Sequence, residues 1–254
     1  MPDIKTHTVT ATAFKGNRSR PLVTLEPKAG PATSLVIVSH GLGDTAMGWY
    51  DAAAMVLAPG LPHARIILPT APTRPITLNG GMKMPGWYDI SSLAADRSKE
   101  RADGIQDTRK ELTDLLAEHA TPEGGDGKLR LDRCVLMGFS QGAALSLFTA
   151  LQSEHRLAGC MVLSGYLPSL EEAKAGATDA GRRTPVRFCH GDEDGVVIPA
   201  WGEDAAANTR AMREGFEGAG AVDWKLYADL EHSANMEELA DVLAALKAWL
   251  PDER

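Results

Sequence analysis

The chain has 254 residues, of which 44% are hydrophobic and 24% charged, as in a folded globular domain rather than a disordered chain. With 34 acidic and 26 basic residues the formal net charge is −8, and the absence of a basic cluster argues against nucleic-acid binding as the main function. The length suits one α/β domain, so we expect a single domain over residues 1–254.

The sequence shows neither a targeting segment nor a disulfide framework. Residues 1–30 contain no apolar run of signal-peptide length, and no stretch of about 18 apolar residues could span a membrane. The three cysteines, Cys134, Cys160 and Cys189, lie in separate apolar runs without a CxxC pair. This pattern is typical of buried reduced thiols, so we expect a cytoplasmic protein.

In chain order, short apolar runs alternate with helix-length segments. Residues 8–14 and 22–25 have the pattern of an antiparallel hairpin. Further strands are predicted at 35–39, 65–68, 133–137, 159–163, 186–189 and 222–227, and helices at 99–120, 143–151, 203–217 and 236–249. This order predicts a mostly parallel sheet with helices on both faces and the hairpin on its edge. Ligands of such sheets bind beyond the carboxyl ends of the strands, where we expect the chemistry.

The strongest chemical signal follows the predicted strand 133–137. The segment Gly138-Phe139-Ser140-Gln141-Gly142 has the pattern G-x-S-x-G, which in α/β-hydrolases exposes the serine Oγ on a sharp turn and points the next N–H at an oxyanion. The pattern alone is weak, because a glycine-flanked helix start also produces it. Its position between a buried strand and a helix favours Ser140 as a nucleophile.

A second oxyanion donor is expected from the loop after an earlier central strand. Strand 35–39 is followed by His40-Gly41-Leu42-Gly43, whose glycines let the backbone approach a reacting carbonyl closely. We predict that the Leu42 N–H acts together with the Gln141 N–H. His40 is interpreted as structural, and the two glycines lack the third glycine of a dinucleotide site.

A serine hydroxyl needs a base, and in this fold the chain order is serine, acid, histidine. Three histidines follow Ser140. His155 lies at the end of the predicted helix 143–151, and His190 closes a strand with no acid-bearing strand end between it and Ser140. His232 lies in a short loop between the last strand and the last helix, and it is the predicted base.

The predicted acid lies in the segment 190–194, which reads His-Gly-Asp-Glu-Asp. Asp194 is far enough past the strand end to reach His232 and hold its tautomer, whereas Asp192 has the position of a turn residue. The acidic run could also suggest a metal site, but no second ligand cluster supports one. We therefore predict no metal and no cofactor.

These residues resemble the acyl-protein thioesterase group of the α/β-hydrolases, also called the phospholipase/carboxylesterase family. The matching stretches are 40–44, 68–72, 74–81, 84–89, 138–142, 163–168, 190–194 and 231–233. The resemblance implies an α/β-hydrolase fold with Ser140, Asp194 and His232 as its triad. It also implies a substrate-facing loop at 77–87.

In that loop the resemblance places Leu78, Met84 and Trp87 against the substrate, with Trp87 lining the acyl pocket. The chain departs from the family pattern after Asp194, where the loop is one residue longer than usual and its position is left open. Residues 1–30 and 121–130 are also longer than is typical.

The sequence therefore predicts a serine hydrolase that cleaves carboxylic esters or thioesters through an acyl-enzyme on Ser140. Two alternatives stay open. One is a hydrolase of another acyl bond, such as a peptidase or a lipase, and the other is a non-catalytic ligand binder on the same scaffold. The expected substrate is a small molecule or an acylated protein, with no nucleic acid and no integral membrane association, and a homodimer is left undecided.

Overall fold

The computed structural model describes residues 4–92 and 102–253, and its centre is an eight-stranded sheet. The strands are β1 His7–Ala13, β2 Pro21–Pro27, β3 Ser34–Ser39, β4 Ala64–Leu68, β5 Cys134–Phe139, β6 Gly159–Leu163, β7 Val186–Gly191 and β8 Val222–Tyr227. Their spatial order is β1-β2-β4-β3-β5-β6-β7-β8. β2 pairs antiparallel with β1 and β4, and the remaining pairs are parallel, so the predicted hairpin lies at one edge.

Seven helices of the described residues surround or flank the sheet. They are α1 at 50–60, which includes a π-helical turn, α2 Ile105–His119, α3 Gln141–Leu151, α4 Leu170–Gly176, α5 Asp179–Arg183, α6 Pro199–Ala211 and α7 Met236–Trp249. Short ribbons pair Thr73–Ile76 with Met82–Pro85, Asp89–Ile90 with Ala102–Asp103, and Ala120–Thr121 with Leu129–Arg130. Over the described ranges, none of the helices has the length and apolar character needed to cross a membrane.

The central strands are buried on both faces, which explains their continuous apolar sequences. In β3, Leu35 and Ile37 point to one side and Val36 and Val38 to the other, and all four are buried. The first side packs against α2, α3, α4 and α6, and the second against α1 and α7. These layers give the α/β-hydrolase architecture that the sequence predicts.

Three predicted helices differ from the observed ones at an end, the helix predicted at 143–151 only slightly, since it is observed as Gln141–Leu151. The helix predicted at 203–217 is observed as Pro199–Ala211. Proline at the first helical position has a suitable fixed φ, and Gly215 and Gly218 have φ of +71° and +75°, outside the helical region. The helix predicted at 99–120 is observed as Ile105–His119, and positions 99–101 of that prediction lie outside the described residues.

Candidate active site

Ser140 lies in the turn between β5 and α3 with φ of 53° and ψ of −120°, a conformation that residues other than glycine rarely adopt. Its N–H donates to Leu163 O at 2.9 Å, and its carbonyl accepts from the Ala144 N–H at 3.0 Å. The neighbouring strand β6 and the first turn of α3 therefore hold the strained turn in place. Ser140 consequently lines a cavity beyond the carboxyl end of β5.

Close backbone packing explains both glycines of this turn. A Cβ on Gly138 would lie 2.3 Å from Gly142 C, and a Cβ on Gly142 would lie 2.2 Å from Ser39 O and 2.4 Å from His40 O. These are main-chain atoms, so a larger residue could be accepted only if α3 moved away from the end of β3. The glycines of the G-x-S-x-G pattern are thus required because the first turn of α3 packs closely against the end of β3.

The structure brings together the three side chains predicted as nucleophile, base and acid. His232, in the loop between β8 and α7, has Nε2 3.0 Å from Ser140 Oγ and Nδ1 2.7 Å from Asp194 Oδ2. An ionised carboxylate only accepts hydrogen bonds, so Nδ1 carries the proton. The Nε2 lone pair then faces the serine hydroxyl, which is the arrangement of a base with its nucleophile.

Asp194 is buried and its two carboxylate oxygens are fully engaged. Oδ1 accepts hydrogen bonds from the Val196 and Val197 N–H groups, each at 2.9 Å. Oδ2 faces His232 Nδ1 and, at 3.3 Å, His190 Nε2. Burial alone would raise the pKa of Asp194, but hydrogen bonds from His190 and His232, the charge of His232 and the Val196 N–H outweigh it and hold that pKa well below its usual range.

Asp192 is exposed, and its N–H donates to Tyr227 O at 3.0 Å, as expected for a residue in a turn. Within the part of the chain that the structure describes, no group of three or more His, Cys, Asp or Glu side chains is placed to hold a metal ion.

The two residues predicted to supply the oxyanion donors, Leu42 and Gln141, line the same cavity as Ser140. Gln141 is the first residue of α3, where backbone N–H groups have no partner within the helix. In the loop after β3, the Gly43 N–H donates to Pro85 O and the Asp44 N–H to Gly41 O. The Leu42 N–H has no such partner among the described residues.

Comparison with known proteins places this site in a family. A family model described as Phospholipase/Carboxylesterase matches residues 22–250. The chain belongs to this family. Acyl-protein thioesterase 1 of Gibberella zeae is 38% identical over 246 residues, which cover 94% of this chain and 99% of the relative. Acyl-protein thioesterase 1 homolog 1 of Dictyostelium discoideum is 41% identical over 172 residues, covering 67% of this chain and 73% of the relative.

Solved structures agree with this assignment. Zea mays acyl-protein thioesterase 2 has a TM-score of 0.75 at 27% identity, covering 90% of this chain and 98% of that one. Arabidopsis thaliana SOBER1 has a TM-score of 0.73 at 25% identity, covering 85% and 99%. The chain is thus a phospholipase/carboxylesterase family member with the α/β-hydrolase fold, and it is a serine hydrolase of carboxylic esters or thioesters.

The cavity beside Ser140 has a volume of about 590 Å³, within the range of small-molecule sites. Its wall is mainly apolar. Apart from Ser140, His232, Leu42 and Gln141, it is formed by Gly41, Asp44, Gly48, Trp49, Ala52, Leu78, Asn79, Ile90, Phe139, Tyr166, Val196, Val197, Ser233, Ala234 and Leu239. Of the three residues predicted to face substrate, Leu78 is present in this wall.

Trp87 and Met84 are absent from the described wall of this cavity, and their predicted place against the substrate stays a prediction. Trp87 is 1% exposed, and its Nε1–H donates to His40 O at 2.7 Å. Its backbone N–H donates to the Gln141 side chain at 2.8 Å. The half-buried Met84 accepts a hydrogen bond from Asn79 Nδ2 at 3.3 Å and packs beside Gly43. Both residues therefore contact the loop after β3, Trp87 through His40 O and Met84 beside Gly43.

His40, interpreted from the sequence as structural, is buried with both ring nitrogens paired to backbone. Nδ1 lies 2.6 Å from Gly41 O, and Nε2 accepts from the Ala71 N–H at 3.0 Å. Burial lowers its pKa, opposed by the hydrogen bond to the Gly41 carbonyl. Since neither nitrogen is left for a substrate, His40 fixes the loop that carries Leu42.

Sequence reasoning missed three side chains around the site. The Phe139 ring contacts His232 at 4.7 Å between centroids and Trp49 at 5.4 Å, so an aromatic pair borders the base. His190 contacts the acid. Phe139 occupies a free position of G-x-S-x-G and His190 was considered only as a base, so the signals lay inside the motifs but had no assigned role.

Proposed function

We propose that Ser140, His232 and Asp194 form the catalytic triad of this hydrolase and that the Leu42 and Gln141 N–H groups form its oxyanion hole. One observation carries the proposal. A continuous chain of hydrogen bonds runs from Asp194 through His232 to Ser140 Oγ, and it ends at the wall of an apolar cavity.

The geometry supports a two-step acyl transfer. His232 Nε2 takes the Ser140 hydroxyl proton while Oγ bonds to the acyl carbonyl carbon, and the resulting oxyanion accepts hydrogen bonds from the two backbone N–H groups. The proton then passes from Nε2 to the leaving oxygen or sulfur as its bond to the acyl carbon breaks. Water attacks the acyl-serine by the same route, and the released proton returns to Oγ. Asp194 stays ionised and stabilises the imidazolium.

We propose that the substrate is an acylated protein or a small ester whose acyl chain occupies the cavity. Leu78, Ile90 and Val197 provide apolar wall there, and the relatives are named acyl-protein thioesterases. Each buried methylene contributes about 0.8 kcal/mol, or roughly fourfold in binding. The value of kcat/KM should therefore rise with acyl length until the cavity is filled.

The test is hydrolysis of p-nitrophenyl esters from acetate to laurate, with Ser140→Ala beside the native chain. We expect the native protein alone to turn over, with a loss of about 10⁴-fold or more in the variant. The acyl length with the highest kcat/KM then indicates how long an acyl chain the cavity can hold. Matched thioesters show whether an oxygen or a sulfur leaving group is preferred. Equal activity of both proteins would refute the triad. Cleavage of a peptide anilide but of no ester would favour a peptidase. Absence of activity in both the native chain and Ser140→Ala would favour a ligand binder.

We also propose that the chain is a single domain over residues 1–254 and acts in the cytoplasm. The family model spans most of that range, and the three cysteines are buried and free, as suits a reducing compartment. Cell fractionation with an antibody to the native chain tests the location, and recovery mainly in a membrane or secreted fraction would refute it.

A homodimer is a second component of this proposal, supported by exposed apolar side chains next to the cavity wall. Met82, Val196 and Met236 are 64%, 48% and 68% exposed. Val196 lines the cavity, and Met236 follows the lining residue Ala234 by two positions. Sedimentation equilibrium should show a dimer that Met236→Glu weakens. A monomer at all concentrations would refute this component and leave the triad untouched.

A further inference from the structure

A second buried histidine lies behind the proposed triad. His190 ends strand β7 near the acid loop and is 1% exposed. Its Nε2 is 2.7 Å from Val197 O and 3.3 Å from Asp194 Oδ2. A carbonyl oxygen can only accept, so Nε2 carries a proton that it donates to Val197 O, while Oδ2 lies on the positive side of the same N–H group.

This contact completes a closed set of interactions around the acid. The Val197 N–H donates to Asp194 Oδ1, and the Val197 carbonyl accepts from His190. His190 therefore anchors the residue that binds one carboxylate oxygen, and it contacts the other oxygen directly. Without His190, Val197 O would lose its hydrogen-bond donor from β7, and the Asp194 N–H to Gly191 O would be the remaining backbone hydrogen bond of the loop to that strand.

The ring of His190 is held in this orientation by packing on two sides. It contacts the Trp224 ring at 5.6 Å between centroids, and a Cβ on Gly202 would lie 2.5 Å from its Nδ1. Trp224 belongs to β8 and Gly202 to α6. Residues of β8 and α6 thus pack against the ring and fix the direction of the Nε2–H bond.

We propose that His190 is a positioning residue for the hydrolase reaction, because it holds Asp194 with Oδ2 facing His232 Nδ1. This inference rests on the proposed triad. If the carboxylate turned or shifted, His232 would lose the bond that orients its Nε2 toward Ser140 Oγ. Misplacement of a reacting group by about 1 Å costs up to about 10²-fold in rate.

The first test compares His190→Leu with His190→Gln, whose side-chain amide places a donor close to the position of Nε2. We expect kcat to fall about 10- to 100-fold in the leucine variant with KM nearly unchanged, and the glutamine variant to recover most of kcat. If the leucine variant does not fold, His190→Asn replaces it, because its shorter amide does not reach Val197 O. Unchanged kcat, or equal losses in the leucine and glutamine variants, would overturn the inference.

The matched control is His63→Leu. His63 is also buried, and its Nε2 lies 2.9 Å from Leu250 O, but among the described residues its polar contacts are with Leu250 and Asp252 and not with Asp194. The His63→Leu variant should lose about as much thermal stability as the His190→Leu variant and keep its kcat. If the control lost kcat to the same extent, the effect of His190 would be general destabilisation and the positioning role would be refuted.

A double-mutant cycle separates positioning from a merely structural role. In an Asp194→Ala background, His190→Leu should cost no further kcat, because its effect passes through the missing carboxylate. Additive losses would overturn the inference. The parent proposal fails in a different way, since an active Ser140→Ala variant would refute the triad whatever the His190 variants do.

Discussion

Glu238, in the first turn of α7, is expected to make stability depend on pH. Its N–H donates to the Asn235 side chain at 2.8 Å, which caps the helix. In a capping box the Glu238 carboxylate would accept a hydrogen bond from the Asn235 backbone N–H. Instead the side chain is fully buried, and neither carboxylate oxygen has a hydrogen-bond partner among the described residues. Burial raises the pKa of Glu238 to about 8.

The size of the effect follows from this pKa. In the unfolded chain the carboxyl has its ordinary pKa of 4.5 and is ionised at pH 7, whereas the folded protein keeps it mostly protonated. At pH 7 the pH lies about 2.5 units above the pKa of the carboxyl in the unfolded chain, and each unit corresponds to about 1.36 kcal/mol. Glu238 therefore lowers the free energy of unfolding by about 3 kcal/mol at pH 7. Because the folded pKa is raised, stability is lost as pH rises from about 4.5 to about 8, and the loss levels off above that.

The perturbation is Glu238→Gln, which removes the ionisation and keeps the shape. Urea unfolding at pH 5 and pH 8 should show the variant gaining about 3 kcal/mol on the native chain over that interval. The exposed neighbour Glu237→Gln is the control and should follow the native pH dependence. A difference between Glu238→Gln and the native chain that is the same at both pH values would refute the reasoning, because it would mean that Glu238 does not titrate differently on folding.

The remaining predictions concern the site and the thiols. Gly142→Ala should abolish esterase activity and lower Tm, because its Cβ would lie 2.2 Å from a β3 carbonyl oxygen, whereas Gly195→Ala, with open space around it, should keep both. In the ester series, Trp87→Phe should lower kcat about tenfold without changing the preferred acyl length, whereas Leu78→Ala should change that preference. The reverse pattern would indicate that Trp87, and not Leu78, faces the acyl chain. The three cysteines should react with a thiol reagent only as the protein unfolds, because burial raises two of their pKa values to about 12 and that of Cys189 to about 11, and rapid native labelling would contradict this.

Most of the fold could be predicted from the sequence, because strands buried on both faces leave unbroken apolar runs. The predicted strands 159–163 and 222–227 and the helix 236–249 match the observed bounds. The helix at 203–217 was misplaced because its first turn, 199–202, is weakly patterned and its end depends on glycines with positive φ. Local periodicity contains little information about such ends.

The proximity of Ser140, Asp194 and His232 could be predicted because each follows a strand end, and the ends of parallel strands meet at one edge. The direction of a side chain in a loop is not encoded in the same way. The Trp87 indole turns inward because the His40 carbonyl offers an acceptor there, and no residue next to Trp87 in the chain reveals this. Burial of a residue in a substrate-facing loop was therefore beyond prediction from pattern.

The loop after β3 and the loop 194–197 are held by the same kind of hydrogen bond. In each, a buried ring N–H donates to a main-chain carbonyl, from Trp87 to His40 O and from His190 to Val197 O. Such a bond fixes a peptide group rather than a side chain, and the peptide group in turn sets the direction of the donors beside it. Because neither ring lines the cavity, losing either should change kcat more than KM. Catalytic precision in this hydrolase would then depend on residues that never touch the substrate.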